Sequence, residues 1–229
     1  MTRWTGSEAG MPDEENHMEM LAQLAQSVLD GDGRKVSELT GRAIEARVPA
    51  RQILDDGLLD GMATVGDRFK AHEIFLPDVL LAAKAMYVGM DLLKPLLISE
   101  NVPSMGKVVI GSIHGDLHDI GKNLVGIMLK GAGFEIIDLG NDVPPDRFVD
   151  EAHAQDAGVI GMSALLTTTM QGMKTVVELV RQRCLNDQVR TIIGGAPVTA
   201  KFASQIGADA YGFDAANAVD RVKELMGGC

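Results

Sequence analysis

The residues VVIGSIHGDLHDIGKNLVGIMLKG, numbered 108–131, decide the fold of this chain. They begin with an apolar, β-rich run, continue through a polar loop, and end in an amphipathic helical pattern that we place at Ile120–Gly131. A strand without a polar face, followed by a short loop and a helix, is typical of a parallel sheet that helices cover on both sides. This unit therefore predicts an α/β domain around it.

The same alternation continues to the end of the chain. We expect strands at Val108–Ile113, Glu135–Leu139, Val159–Met162, Thr191–Ile193 and, as the weakest pattern, Ala208–Tyr211. Helices are expected at Ile120–Gly131, Pro145–Ala154, Thr169–Arg183, Thr199–Ile206 and Ala215–Met226. Five strands predict a flavodoxin-like, doubly wound, five-stranded parallel sheet over residues 106–229. Ligands of such sheets bind beyond the carboxyl ends of the strands where the winding reverses, so the loops after Ile113 and Met162 are candidate binding loops.

The N-terminal part of the chain has a different pattern, in which apolar residues recur at intervals of three and four. The pattern predicts four helices joined by short loops, and therefore a four-helix bundle over residues 18–100. Residues 1–17 are polar and aperiodic, and we expect a mobile arm there. The segment Asn101–Gly106 is expected to link the bundle to the sheet.

The charge of the chain excludes several classes of partner. Its 229 residues include 21 Lys and Arg and 32 Asp and Glu, for a net charge of −11. Such a chain repels phosphate backbones and anionic lipid, so neither nucleic acid nor a membrane is an expected partner. Its apolar stretches are shorter than the ~20 residues of a membrane span. The two cysteines, Cys184 and Cys229, form no disulfide framework, and a cytoplasmic location is expected.

The loop after the first strand does not match the common phosphate-binding motifs. Its glycines, at 111, 115 and 121, do not form the dinucleotide pattern G-x-G-x-x-G. A P-loop is excluded because the spacing from Gly115 to Lys122 is one residue too long. In addition, Asn123 stands where Ser or Thr would coordinate magnesium.

The histidines of this loop allow more than one reading. His114 and His118 are four residues apart, as in a zinc-protease helix, but no Glu follows His114 and the segment lies on a loop. Asp116 could instead accept one ring N–H of His118 and leave the other nitrogen for a metal. The same residues also suit a helix N-cap Asp beside a surface His. The motif by itself does not decide between these two readings.

Two further motifs stand at the ends of expected strands. Ser163-Ala164-Leu165 ends the third strand, and Gly194-Gly195 ends the fourth. Between Gly121 and Ser163 there are 41 residues, and between Leu165 and Gly194 there are 28. With Asp116-x-His118-x-x-Gly121, the chain resembles the cobalamin-binding domain of methionine synthase, some carbon-skeleton mutases and corrinoid methyltransferase subunits. Every element of that signature is matched.

The resemblance implies a cofactor, cobalamin or a related corrinoid, and a lower axial ligand for its cobalt. His118 would be that ligand, displacing the cofactor's own base. Asp116 would hydrogen-bond His118 from behind. Methionine synthase holds the matching Asp with a hydroxyl, and here Thr169 supplies one at that position. These three residues are the candidate catalytic group.

The resemblance also implies where the displaced nucleotide tail would lie. Ser163 and Thr167 would hydrogen-bond the tail, and Gly194 and Gly195 would let the backbone lie against it because they have no Cβ. The remaining candidates for cofactor binding in the sheet domain are Gly115, Leu117, Asp119, Ile120, Gly121, Leu165 and Tyr211.

The match extends into the helical half. The stretches Val65–Phe69 and Phe75–Pro77 reproduce a segment of the helical cap that covers the corrin in methionine synthase and corrinoid proteins. Within it, Phe69 and Leu76 stand at the positions that shield the methyl group. Ordinary core packing is the alternative role for Phe69.

The pair of domains favours one function within the family. Mutases lack the cap and methionine synthase is much longer, so the resemblance implies a corrinoid methyl carrier that is not catalytic alone. It would cycle between Co(I) and methyl-Co(III), taking the methyl group from a donor-specific methyltransferase. A second methyltransferase would pass it to a thiol or tetrahydrofolate. An ATP-dependent reductive activator is a third expected partner, because the chain has neither a P-loop nor a cysteine cluster. The alternatives are a cobalamin-dependent regulator and a cobalamin storage or delivery protein, and the methyl donor stays open.

Overall fold

The computed structural model describes the backbone of residues 12–227 and the side chains of residues 16–227. Two compact units are distinguished by their internal contacts. The first contains the residues through Thr64 together with Leu81–Val102, and the second contains Val65–Leu80 and the chain from Pro103 onward. The domain boundaries expected at residues 17, 100 and 106 stay predictions.

The N-terminal half is helical, as expected. Its elements are α1 (Pro12–Leu29), α2 (Gly33–Glu45), α3 (Ala50–Gln52), a π-helical segment (Ile53–Leu59), α4 (Asp60–Lys70) and α5 (Leu76–Ser99). Since α3, the π-helical segment and α4 run on without a break, they correspond to the third expected helix. Among the described helices, none is both long and apolar enough to cross a membrane.

Helix α1 begins earlier than expected. It starts at Pro12, so residues 12–17 of the predicted arm are helical, whereas residues 1–11 of that arm lie outside the described part of the chain. Proline is favoured in the first turn of a helix, because its φ is already helical and its missing N–H would have no partner there. A polar, aperiodic composition therefore did not prevent the helix from extending to this proline.

Glycines let the helices of the first unit approach closely. A Cβ on Gly61 of α4 would lie 2.6 Å from the carbonyl oxygen of Ala25 and 2.8 Å from Cβ of Val28, both on α1. One on Gly57 of the π-helical segment would lie 2.6 Å from Cδ2 of Leu24. Ala25, Val28 and Leu24 are buried. This unit is thus held by backbone-close packing of apolar side chains.

The second unit is built on an all-parallel sheet, which confirms the expected fold class. Its strands are β1 (Lys107–Ser112), β2 (Glu135–Asp138), β3 (Val159–Ser163), β4 (Arg190–Gly194) and β5 (Ala210–Gly212), in the order β2-β1-β3-β4-β5. The helices are α6 (Ile120–Gly131), α7 (Pro145–Ala154), α8 (Gln171–Gln182), α9 (Ala200–Ile206) and α10 (Ala215–Gly227). The winding reverses between β1 and β3, so the loops after these two strands lie side by side.

The two faces of this sheet are filled differently. Helices α7, α8 and α9 cover one face over a closed core that includes Val109, Ile160 and Ile193. On the face of α6 and α10, residues at the carboxyl ends of four neighbouring strands are paired in one row. The members of this row are Ser112, Ser163, Gly194 and Gly212. Their small side chains leave room beneath α6 and α10.

The close contact at Gly61 gives a stability prediction. Gly61→Ala should lower the free energy of unfolding by about 1–3 kcal/mol, because its methyl group would force α4 away from the backbone of α1. Urea unfolding followed by circular dichroism measures the change. Gly41→Ala is the matched control, since a Cβ there meets nothing within 4 Å and alanine favours the helix. Equal stability of the two variants would contradict the packing described for α1.

Candidate functional site

The loop between β1 and α6 carries the predicted Asp116-x-His118 motif. The chain turns sharply at Gly115, whose φ of +83° is one that residues with a side chain rarely adopt. A Cβ on Gly115 would also lie 3.3 Å from Cγ2 of Thr169. Glycine at this position therefore allows the loop to turn close to the segment that follows β3.

The carboxylate of Asp116 is fully buried and accepts hydrogen bonds from two loops. Its Oδ1 accepts from the backbone N–H of His118 at 3.1 Å and from Nδ1 of the His118 ring at 2.8 Å. Oδ2 accepts from the backbone N–H of Leu165 at 2.7 Å and of Leu166 at 3.3 Å, and from Oγ1 of Thr169 at 2.9 Å. The loops after β1 and β3 are thus joined through one side chain.

These contacts determine the charge of Asp116. Burial by itself would raise the pKa of this carboxyl group, because it disfavours the charged form. The hydrogen bonds from the Leu165 N–H, from the ring and backbone of His118 and from Thr169 outweigh burial and hold the pKa well below its usual range. Asp116 is therefore a carboxylate at neutral pH.

The carboxylate in turn determines which nitrogen of His118 is available. An ionised carboxylate can only accept hydrogen bonds, so Nδ1 must carry a proton, and in the neutral ring the lone pair then lies on Nε2. The His118 side chain is 53% exposed, and Oγ of Ser112 donates to its backbone carbonyl at 2.6 Å. No group of three or more His, Cys, Asp or Glu within the described residues could hold a metal. The exposed ring of His118 could therefore offer Nε2 to a metal or a cofactor.

A cavity of about 410 Å³ lies on the face of the sheet that α6 and α10 cover. Its walls include Ser163, Gly194 and Gly212 from the row of small residues. Ile110 and Ile192 contribute apolar walls from the adjacent strand positions. Gly121, near the start of α6, also lines it, and a Cβ added there would meet nothing within 4 Å. The cavity is therefore the room that the small strand residues leave.

The structure brings most of the predicted binding residues to this edge of the sheet. Gly121, Ser163, Gly194, Gly195 and Phe69 line the cavity. Three further predicted residues are exposed: Leu117 and Ile120, which are close to His118 in sequence, and Leu165, whose N–H donates to Asp116. Asp119 directly precedes α6. Their predicted contacts with a cofactor stay predictions.

Three other predicted residues also do not line the cavity. Thr167 is exposed in the loop after β3 and does not line the cavity. Tyr211 packs against the closed core on the opposite face, because side chains alternate along β5 and its neighbour Gly212 faces the cavity. Leu76 begins α5 and is half-buried outside the cavity lining. The expected role of Phe69 and Leu76 in shielding a methyl group stays a prediction.

Gly195 has a reason of its own to be glycine. Its φ is +123°, and a Cβ would lie 1.9 Å from the carbonyl oxygen of Ala164. Room for a cofactor tail was the expected reason for this glycine, but the close approach of the β3 loop already requires it.

Polar residues at the end of β2, in the loop after it and on α6 were not singled out from the sequence. Nζ of Lys122, which is buried, lies 2.6 Å from both carboxylate oxygens of Asp138. Asn141 and Asp142 hydrogen-bond the loop that carries His118. Two adjacent polar residues in the loop after a strand were a signal, but only the loops after β1 and β3 were singled out.

Comparison with known protein families decides the family of the chain. A model of the B12 binding domain matches residues 106–222, which is more than half of the 229 residues. A second B12 binding domain model matches residues 20–94. The chain belongs to the B12-binding proteins. The resemblance stated from the sequence is thereby confirmed.

Relatives of this B12-binding protein match it over nearly their whole length. It is 42% identical to dimethylamine corrinoid protein 3 of Methanosarcina acetivorans over 90% of this chain and 97% of that protein. Among solved structures, it matches the methanol:cobalamin methyltransferase complex MtaBC of Methanosarcina barkeri with a TM-score of 0.82 and 30% identity, over 97% of this chain and 87% of that one. A cobalamin-binding protein of Desulfitobacterium hafniense matches with a TM-score of 0.74 and 31% identity, over 90% of this chain and 98% of that one.

In the cofactor-free B12-binding protein, Asp116→Asn tests how much the buried carboxylate contributes to stability. An amide has one accepting oxygen, so the variant leaves donors unpaired and should lower the free energy of unfolding at pH 7 by about 1–3 kcal/mol. The pKa of Asp116 is depressed on folding, so its contribution is present above the unfolded value near 3.8 and is lost as pH falls below it. Urea unfolding at several pH values should show the difference from wild type shrinking at low pH.

Asp156→Asn is the control for this measurement, because its carboxylate has no hydrogen bond or ion pair within residues 16–227. This substitution should change the free energy of unfolding little at any pH. A constant difference between wild type and Asp116→Asn from pH 7 to pH 3 would contradict the assigned charge.

Proposed function

We propose that this protein is a corrinoid methyl carrier of a methyltransferase system. The observation that carries the proposal is the arrangement at His118. A buried carboxylate binds one ring nitrogen and leaves the other available, and Gly121 of the same motif lines a cavity on the sheet. Relatives named as dimethylamine and trimethylamine corrinoid proteins, and a methanol:cobalamin methyltransferase complex, support this choice over a regulator or a storage protein.

The residues present fit a corrinoid with a displaced nucleotide tail. The cavity has mainly apolar walls and enough room for a nucleotide, and its width comes from small strand residues such as Ser163 and Gly194. Gly121 opens onto it without a neighbouring atom. In this proposal the tail occupies the cavity and Nε2 of His118 is the lower axial ligand of the cobalt.

The residues around His118 have the properties that such a ligand requires. Asp116 holds the ring tautomer and makes the imidazole a better donor through Nε2. Four apolar side chains of the two loops are exposed although monomers seldom expose contiguous apolar surface, and a macrocycle would cover them. They are Leu117, Ile120, Leu165 and Leu166. The bound corrinoid supplies the cobalt that accepts a methyl group and gives it up again.

The carrier would work with three partners in turn. We propose a donor-specific methyltransferase, an acceptor methyltransferase acting on a thiol or tetrahydrofolate, and an ATP-dependent reductive activator, all in the cytoplasm. Partners that take turns at one site require transient contacts. The net charge of −11 would favour association with basic surfaces and make it weaken as salt rises.

His118→Ala tests the axial ligand and the function together. After reconstitution with hydroxocobalamin, the wild type should bind about one equivalent with histidine-ligated cobalt. The variant should show the visible spectrum of base-off or water-ligated cobalt. Methyl transfer to a thiol, with an acceptor methyltransferase and the reductive activator present, should fall at least about tenfold because the ligand is removed. His153→Ala, an exposed histidine of α7, is the control. An unchanged spectrum in His118→Ala would refute the assignment.

Gly121→Leu tests the cavity separately from the fold. Since a Cβ there would meet no atom within 4 Å and leucine favours a helix, the free energy of unfolding should be unchanged or rise by up to about 1 kcal/mol. Cobalamin binding, measured by titration calorimetry, should nevertheless weaken because leucine fills the mouth of the cavity. Gly41→Leu on α2 provides the comparison, with no effect on binding expected. Wild-type affinity in Gly121→Leu would place the tail elsewhere.

A further inference from the structure

The loop between β2 and α7, residues 139–144, lies against the loop that carries His118. The side chain of Asp142 accepts at Oδ1 from the backbone N–H of Gly115 and from Nδ1 of His114, both at 2.7 Å. The backbone N–H of Asp142 donates to the carbonyl of Asp116 at 3.0 Å. These contacts of Asp142 therefore hold the turn directly before His118 in place.

Asn141 holds the next residue of the same turn. Its Nδ2 donates to the carbonyl of Leu117 at 3.2 Å. Together, Asn141 and Asp142 hold each of the four residues that precede His118, either at the backbone or at a side chain. These four residues are His114, Gly115, Asp116 and Leu117.

The β2–α7 loop is itself anchored to the sheet. The N–H of Ser112 donates to the carbonyl of Gly140, and the N–H of Val143 donates to the carbonyl of Ser112, both at 3.0 Å. Ile113 and Val143 form a parallel bridge beyond the end of the strands. A loop held in this way can fix the position of its neighbour.

The backbone of Asp142 has a left-handed conformation. Its φ is +53°, a left-handed conformation that costs free energy for residues other than glycine, although Asp and Asn tolerate it best. The contact with His114 does not explain the conformation, since the His114 side chain is 67% exposed and exposed pairs contribute little. The bond to the Gly115 N–H is the contact that this conformation makes possible.

We propose that Asp142 is a positioning residue for the axial ligand, acting through the backbone of Gly115 and Asp116. In this arrangement His118 is held from two sides. The loop after β3 fixes the carboxylate that meets the ring, and the loop after β2 fixes the main chain from which the ring extends. The inference rests on the proposed function, because it assigns Asp142 to the orientation of a cobalt ligand.

The experiment compares Asp142→Ala and Asp142→Asn in protein labelled with ¹⁵N-histidine. After loading with hydroxocobalamin and reduction to Co(II), electron paramagnetic resonance distinguishes the ligands. A ¹⁵N-histidine ligand splits each cobalt line into a doublet, whereas the cofactor's own ¹⁴N base gives a triplet and water gives no splitting. Asp142→Ala should lower the ratio of histidine-ligated to other forms about tenfold, as expected for a partner behind a ligand.

The conservative variant and a matched control make the result specific. Asp142→Asn keeps an oxygen that can accept from the Gly115 N–H and suits the left-handed backbone, so the doublet should be largely restored. Asp156→Ala is the control, because Asp156 has the same backbone conformation, with φ +54°. Its carboxylate has no hydrogen bond or ion pair among the described side chains. A wild-type doublet in Asp142→Ala would overturn the proposal, as would an equal loss in Asp156→Ala.

Amide hydrogen exchange of the protein without cofactor gives a second readout. Asp142→Ala should speed the exchange of the Gly115 N–H and its neighbours, and leave the strands of the sheet protected as in wild type. If the wild type itself gives no ¹⁵N doublet, the axial assignment of His118 fails, while the exchange rates still test whether Asp142 holds the turn. Unchanged exchange at residues 115–118 would show that it does not.

Discussion

The buried carboxylate of Asp116 is the constraint on which the rest of the site depends. A charge removed from water is strongly destabilising unless hydrogen-bond donors surround it. Here the donors come from two loops that are far apart in the chain, from His118 on one side and from Leu165 and Thr169 on the other. Satisfying one carboxylate therefore brings the loop after β1 and the loop after β3 together. The orientation of the His118 ring follows from that requirement, and Nε2 remains available.

The two faces of the sheet explain how one domain can contain both a closed core and a cavity. On the face of α7, α8 and α9, large apolar residues such as Ile160 and Ile193 form a closed core. On the other face, the row from Ser112 to Gly212 is made of small residues, and the helices above it cannot fill the space. Apolar residues on this side, such as Val108 and Val222, are nevertheless fully buried, so both faces contribute to the stability of the unit.

Much of the architecture was predictable because it depends on local patterns. The limits of α6 and α7 were predicted to the residue, and the ends of the strands to within two residues, since hydrophobic periodicity and turn residues determine them. The residues missed at the site, Asn141, Asp142 and Lys122, act through contacts with segments that are distant in sequence. The position of Tyr211 was not predictable for a similar reason. Which face of β5 it occupies depends on how that strand is paired, and its own short, weak pattern does not reveal this.

The sequence by itself determined the α/β class, the helical half and the identity of the motif residues, because these follow from composition, periodicity and spacing along the chain. It also pointed to His118 as a ligand, although Asp116-x-His118 alone was equally compatible with a helix cap. Only the tertiary structure decided that the Asp116 carboxylate is buried, that donors from the β3 loop surround it, and that a cavity opens beside Gly121. The physical reason is that burial and hydrogen bonding depend on which strands are neighbours. Strand order joins residues 116 and 165 in space, and no local pattern contains that information.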